Sequence, residues 1–510
     1  MNVEVGRFRY RVEPTLPPLA WLARIGRSDR EVSVVAGSSV RYGPDGFLEG
    51  SWSGSADLCS VINATTVFGS GMVWGDDGNA TIITPSHTMS GVFAQADADG
   101  TTISNSLSAL LAATGSELLR DGAYPSRFAR TIEGIGNSPV VMPTDGAPID
   151  FHFWWNLVVG PEGGLQQVRK PEENAFASFG DYRSRLSSAL ASVFANATGY
   201  EPVIALSSGY DSTTVAVLAA ENGCRHAVTF AEGRHTRRTG DDLGDSGAAT
   251  AARLGMAVQA FDRAAYLRRS DLPEAEFLAT GMSGEDVVMS AFEPRLSRRL
   301  LLTGSQGNGI WRVGGSVRTD LRRSGLDGAS LHEFRLRCDF AFVPLPTFGL
   351  TQRPSVMAIS ASDEMKSWSV GGRYDQPISR RIAEEAGLPR GSFAAVKHAA
   401  SALLHSEGAA ALSPATLEAV SRFAENESAR LTYPERFKVR RWHRAALKVA
   451  PRVGAGGLVA GIEARRRALV HFEPEIGTML LRWAVSVVRP RYEALAALAP
   501  GAPAEVNTGQ

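Results

Sequence analysis

Cysteine is nearly absent. The chain has three, Cys59, Cys224 and Cys338, far apart and in no CxxC or Cys/His ligand spacing, which excludes a disulfide scaffold and a zinc module. Lysine is scarce as well: of the 53 Lys and Arg residues, only Lys170, Lys366, Lys397, Lys438 and Lys448 are lysines, so a lysine at a meaningful place is more informative than an arginine. Charge of one sign does not predominate. Lys+Arg and Asp+Glu both total 53, and without a basic surplus there is no long-range pull on a polyanion, so nucleic acid is not the expected partner. No stretch of about 18 apolar residues occurs, and Met1-Asn2-Val3-Glu4 opens no basic-then-apolar leader. These absences predict a cytoplasmic protein with no membrane partner.

What is present is the composition of a folded chain, 44% apolar and 21% charged over 510 residues, long enough for two or three domains. Short β-type runs come first: Val32 to Val35, Thr65 to Phe68, Met72 to Trp74, Thr81 to Thr84, Gly91 to Ala94, Thr101 to Ser104 and Phe151 to Val159, with a helix at Leu107 to Ala113. Turn clusters such as Gly43-Pro44-Asp45-Gly46 and Asp97-Ala98-Asp99-Gly100 separate them, so residues 1–165 read as a sheet-rich domain. Helical spacing from Asn174 to Ala195 begins a second domain, 170–405. There the strands Pro202 to Leu206, Ala227 to Ala231 and Leu300 to Thr303 alternate with helices at Thr213 to Glu221 and Ser246 to Leu254, which predicts a parallel sheet with helices on both faces. Residues 406–498 read as a helical, arginine-rich extension through Leu417 to Arg430, Pro434 to Val449, Leu458 to Leu469 and Ile476 to Val488, and 499–510 as a disordered tail.

The turn Ser207-Ser208-Gly209-Tyr210-Asp211-Ser212 joins the first of those strands to its helix. A helix start offers unpaired N–H groups and a partial positive charge, hence an anion cradle. Ser207, Ser208, Ser212 and Thr213 add hydroxyls, while Asp211 adds a carboxylate that suits a bridging Mg²⁺ ion. The turn is neither GxxxxGK[ST] nor GxGxxG, but Ala205-Leu206-Ser207-Ser208-Gly209 is one residue from the GxSxG nucleophile elbow. A hydrolase with Ser207 as nucleophile therefore stays open at this point.

Ile204-Ala-Leu-Ser-Ser-Gly-Tyr-Asp-Ser-Thr213 resembles the Ser-Gly-Gly-x-Asp-Ser signature of the PP-loop ATP pyrophosphatases, in the Leu-Ser-Gly-Gly-Leu-Asp-Ser-Ser form of the asparagine synthetase family, with Ser208 in place of the first glycine. Other segments follow in the family's order. Thr229-Phe230-Ala231-Glu232-Gly233 is similar to its second strand, Leu302-Thr303-Gly304-Ser305-Gln306-Gly307-Asn308-Gly309 to its Leu-Ser-Gly-Glu-Gly-Ala-Asp-Glu, and Arg373-Tyr374-Asp375-Gln376-Pro377 with Lys397 to its Arg-x-Pro-Phe-Leu-Asp region and lysine loop. Ser90-Gly91-Val92-Phe93-Ala94 and Gly100 to Leu107 resemble its glutaminase half.

The resemblance implies an Ntn-hydrolase-like domain, then a Rossmann-like PP-loop domain, and an ATP- and Mg²⁺-dependent amide ligase that adenylates a carboxylate and passes it to an amine or free ammonia. Leu206, Ser207, Ser208, Gly209, Asp211, Ser212, Thr213, Phe230, Thr303 and Gly304 would bind the nucleotide, Asp211 with Asn308 the metal, and Lys397 would neutralise charge during catalysis. Two positions depart from the family. Asn2 stands where glutamine-using members carry their cysteine nucleophile, so a degenerate, non-glutaminase N-terminal domain is expected, as in the β-lactam synthetases. Asn308 replaces a metal-binding carboxylate, which weakens the metal site or silences the enzyme. Asp241, Asp242 and Asp245 are further acids in a polar loop; Ser283-Gly284-Glu285-Asp286 reads as a helix start or as acids facing the substrate; His398 is a candidate base. Competing readings are a silent nucleotide-binding relative and a PP-loop sulfurtransferase acting on RNA, the latter without its cysteines or basic face. The expected substrate is a small molecule, peptide or sugar acid with a carboxylate, and a homodimer stays open.

Overall fold

A computed structural model describes residues 2–5, 7–26, 31–75, 78–160, 164–232, 245–314, 320–323, 325–372, 374–393, 401–402, 404, 408–427 and 474–498. Among them, the strands form three sheets. The first has eight strands in the order β1 (Asn2–Val5), β2 (Phe8–Val12), β4 (Val32–Ala36), β3 (Trp21–Gly26), β10 (Gly100–Ser104), β9 (Val92–Ala96), β12 (Ile149–His152) and β11 (Val140–Met142). The second has six: β14 (Leu165–Val168), β13 (Asn156–Val159), β8 (Ala80–Ile83), β7 (Val67–Trp74), β6 (Gly46–Trp52) and β5 (Arg41–Gly43). Strand side chains alternate between faces, and the inward sets of the two sheets meet. Phe8, Trp21, Ala23 and Ile103 from the first pack with Phe47, Met72, Ile82 and Leu157 from the second in one buried cluster.

The expected strands at 32–35, 81–84, 91–94 and 101–104 correspond to β4, β8, β9 and β10 within two residues, and the helix at 107–113 to Leu107–Thr114. Two expectations need correction. The runs at 65–68 and 72–74 belong to one strand, β7, in which Gly69 and Gly71 let β6 approach: a Cβ on either would run into the carbonyl oxygen of Glu49 or Phe47. The run at 151–159 divides between β12 and β13, which lie in different sheets, with Trp154 at φ 71° in the connection.

The third sheet is β17 (Ala257–Phe261), β16 (His226–Phe230), β15 (Glu201–Ala205), β18 (Arg299–Thr303) and β19 (Phe340–Pro344), and every neighbouring pair is parallel. The chain starts this sheet at its centre, winds outward to β17, then returns to the other side of β15 with β18. At such a reversal the loops leaving the two central strands diverge and open a crevice at their carboxyl ends.

Helix Phe179–Asn196 begins at the cap Ser178, whose Oγ accepts from Asp181 N–H, so residues 174–177 are not helical as expected. Helix His332–Cys338 lies between the third sheet and the sandwich. Its Arg335 makes two 2.7 Å bonds to Glu49 on β6; its Glu333 accepts from Ser106 Oγ at 2.6 Å and Tyr492 OH at 2.8 Å. Burial pushes the Glu333 carboxyl up to about 7, against those hydrogen bonds.

The helices Pro414–Asn426 and Pro474–Val488 are present where sequence places them, but the second is no peripheral extension. Trp483, Tyr492 and Leu495 share one apolar core with Leu110, Phe128 and Phe277. Segments 434–449 and 458–469, with their arginines, and the tail 499–510 lie outside the described residues. Among the described residues no helix is long and apolar enough to cross a membrane.

Candidate functional site

At the reversal between β15 and β18 the strand ends are followed by turns of small residues. Ala205 and Leu206 end β15, Thr303 and Gly304 end β18, and Phe230 ends β16; together they line a cleft of about 260 Å³. The helix Tyr210–Glu221 starts at its edge, three residues before the expected position, with Gly209 as cap and the N–H groups of its first turn at the cleft, that of Tyr210 shared with the Tyr374 hydroxyl. Those donors and the dipole leave the cleft attractive to an anion.

The turn itself is closed by hydroxyls. Ser207 N–H donates to Ser212 Oγ at 3.1 Å, the two Oγ atoms lie 2.8 Å apart, and Gly209 N–H donates to Ser207 Oγ at 3.3 Å. Ser208 turns aside: its Oγ donates to Asp245 Oδ1 at 3.1 Å. Of the sequence-derived set, Leu206, Ser207, Gly209, Asp211, Ser212, Phe230, Thr303 and Gly304 line the cleft. Ser208 and Thr213 do not; Thr213 is fully buried on the helix. Asn308 lines a neighbouring cavity across the loop, so it does not share this wall with Asp211. Lys397, His398, Asp241 and Asp242 lie outside the described residues.

The structure adds residues the motifs did not single out. Phe292 stacks on Phe230 with centroids 4.4 Å apart and, with Val288, Met289 and Phe342, makes an apolar wall. Asp286 stands at the start of a helix, as expected, though a 3-10 helix, Val287–Arg295. Its carboxylate accepts from Gly328 N–H and Ser330 N–H at 2.9 Å and from Ser330 Oγ at 2.7 Å, which pins the loop forming the far wall. Burial pushes its carboxyl up and these donors act against that. Asp327 is likewise engaged, by Gln306 Nε2 at 3.1 Å. Tyr374 reaches the wall beside Tyr210, at 5.1 Å between centroids.

Among the described residues no group of three His, Cys, Asp or Glu forms a metal cage. The cleft does offer Asp211 and Asp245 as hard oxygen donors next to the anion cradle. One or two carboxylates completed by phosphate oxygens and water is the donor set Mg²⁺ takes at a nucleotide, so these residues fit that ion. No histidine and no cysteine is found in the described wall; Ser207 Oγ therefore has no imidazole there to activate it, and Cys224 and Cys338 are buried elsewhere.

The two glycines of the β18 loop are required by proximity. A Cβ on Gly304 would sit 2.6 Å from the Asp211 carbonyl carbon and Ser212 N, and one on Gly307 would sit 2.6 Å from the Asp211 carboxylate. Gly304→Ala is expected to lower the unfolding free energy by about 1–3 kcal/mol in a denaturant titration. Gly309→Ala, whose Cβ would meet nothing within 4 Å, should leave it unchanged or slightly raised.

No protein-family model matches this chain, and no curated protein matches it in sequence.

Proposed function

We propose that the protein is an asparagine synthetase-like ligase that uses ATP to activate a carboxylate and joins it to an amine or to ammonia. One observation carries the reading: the hydroxyl-rich turn at 207–212, Asp211, and the strand ends Leu206, Phe230 and Thr303 line a single cleft at the carboxyl ends of parallel strands. With it go the finer fold proposals, a PP-loop domain over 170–405 and an Ntn-hydrolase-like, glutaminase-derived domain over 1–165.

In this reading the adenine lies against Phe230 and Phe292. The β- and γ-phosphates sit at the start of the helix Tyr210–Glu221 and on the hydroxyls of Ser207 and Ser212, where the helix dipole opposes their charge. Asp211 and Asp245 would hold Mg²⁺, which when bound neutralises the phosphates. A substrate carboxylate oxygen attacks the α-phosphorus, the α–β P–O bond breaks and pyrophosphate leaves; an amine nitrogen then attacks the acyl carbon and AMP leaves. Lys397 is proposed to offset charge in both steps. The apolar wall excludes water that would hydrolyse the activated acyl group.

The test is release of pyrophosphate and AMP from Mg-ATP, with L-aspartate and fractionated small-molecule extracts as carboxylate sources. Acceptor-dependent AMP release, reduced at least tenfold in Asp211→Asn, is the expected result. ATP binding without AMP or pyrophosphate from any fraction would replace the ligase by a silent nucleotide-binding protein.

A further inference from the structure

Behind the Gly304–Gly309 loop lies a second cavity of about 240 Å³, whose wall is cationic. Arg312, Arg322, Arg323 and Arg353 line it from three separate segments, and no carboxylate is among its described lining residues. Arg323 is more than nine-tenths buried. Its Nη2 reaches Thr131 Oγ1 at 3.4 Å, yet its Nε and Nη1 are buried without a hydrogen-bond partner, as is Nε of Arg353. Buried donors are almost always satisfied, and those of a guanidinium lose most when they are not. Asp286 and Asp327 attract Arg323 through charge, and Asp320 attracts Arg353, which offsets part of the positive potential; the carboxylates themselves accept from Ser330 Oγ, from Gln306 and from Arg322 N–H. His87, also in the wall, adds no competing anion. Burial first, then the charges of Arg335 and Arg323, holds it well below the ordinary imidazole value, and its Nδ1 accepts from Met89 N–H, which puts the ring proton on Nε2 as one more donor.

We propose that this arginine pocket is an oxyanion-binding site that holds a second acidic group of the substrate, a carboxylate or a phosphate distal to the reacting carboxylate. The assignment to a substrate rests on the ligase reading; the oxyanion site itself does not. Two forked guanidiniums with open N–H groups match the planar oxygen pair of a carboxylate or two oxygens of a phosphate. Gln306 lines this pocket and bonds to Asp327, which lines the nucleotide cleft, so a single side-chain contact joins the two walls.

Isothermal titration of the full chain with succinate, inorganic phosphate and acetate, without nucleotide, tests the site. Saturable binding of succinate or phosphate is expected, tighter than acetate, unchanged in Asp211→Asn and weakened at least tenfold in Arg353→Gln and Arg323→Gln. Succinate preferred over phosphate marks a dicarboxylic substrate; the reverse order marks a phosphorylated one. Arg353 is only half-buried, so its variant carries the test if the Arg323 variant does not fold. No saturable binding of either probe, or binding that survives Arg353→Gln, overturns the site. Because no ATP is present, failure of AMP release cannot be confused with failure of this pocket.

Discussion

Arg335→Met is expected to lower the unfolding free energy by about 3–5 kcal/mol, more than any surface arginine variant. Arg335 and Glu49 are both buried, with side-chain exposures of 5% and 0%. Two parallel bonds of 2.7 Å satisfy the pair, and Ser70 Oγ, itself receiving Trp21 Nε1–H at 3.1 Å, donates to Glu49 at 2.8 Å. Removing the arginine strands a carboxylate between β6 and the helix His332–Cys338, where water cannot reach it. Glu49→Met should cost a similar amount for the opposite charge. The paired change Glu49→Met/Arg335→Met should recover most of the loss, because desolvating two ions offsets much of their attraction while two methionines fill the space with apolar contacts. Denaturant titration of the four proteins gives the coupling directly; a cost under about 0.5 kcal/mol for the single variants would mean the pair is solvated in the working protein.

The same helix shows why some of the fold was legible and some was not. Alternating Val32-Ser33-Val34 or the apolar run Leu300-Leu301-Leu302 declares a strand because its burial follows from position alone. His332-Glu333-Phe334-Arg335 looks like a solvated segment by composition, yet all four are buried. Their partners, Asn105, Ser106, Glu49 and Tyr492, are drawn from the sandwich and from the far end of the chain. No local window contains that information. β17 was silent for the opposite reason: as an edge strand it leaves most of Ala257–Phe261 exposed and needs no apolar pattern.

At the site the distinction is between what one turn contains and what loops bring to it. Ser207, Asp211 and Ser212 are close in sequence, so spacing sufficed to group them with the strand end Leu206. Asp286 is 42 residues from Gly328 and 44 from Ser330, and its task of holding their backbone cannot be read from the residues around it. The arginine pocket is more hidden still, since residues 312, 322, 323 and 353 share no period. Asn308 is instructive in another way: grouped with Asp211 by motif resemblance, it lines the arginine pocket, where a neutral amide does not compete with an incoming anion.

Between pH 7 and pH 9 Lys170 is expected to contribute a gain of about 2 kcal/mol in stability, so that the wild type gains about that much relative to Lys170→Met over the window. Lys170 is buried, and its Nζ donates to the Thr84 carbonyl at 2.6 Å and Asn156 Oδ1 at 2.5 Å, both neutral acceptors. Desolvation with no facing carboxylate pulls its ammonium from 10.5 down to about 7. The sign follows from proton counting. Well below pH 7 the lysine is charged in both states and its own contribution is flat in pH; above it the folded lysine is neutral while the unfolded one still binds a proton until 10.5, so raising the pH favours the folded state. Cys224 and Cys338, whose thiols burial pushes up, act in the opposite direction as the pH approaches their ordinary value of 9.0, and they act equally in both proteins, so the difference between wild type and Lys170→Met isolates the lysine. Glu333, raised to about 7, acts mainly below the window. Urea midpoints of both proteins at pH 7, 8 and 9 read the slope. Equal slopes in the two proteins would mean the two carbonyl-type acceptors hold the proton on Lys170 despite burial, and the ammonium would then be a fixed charge next to His87 throughout the physiological range.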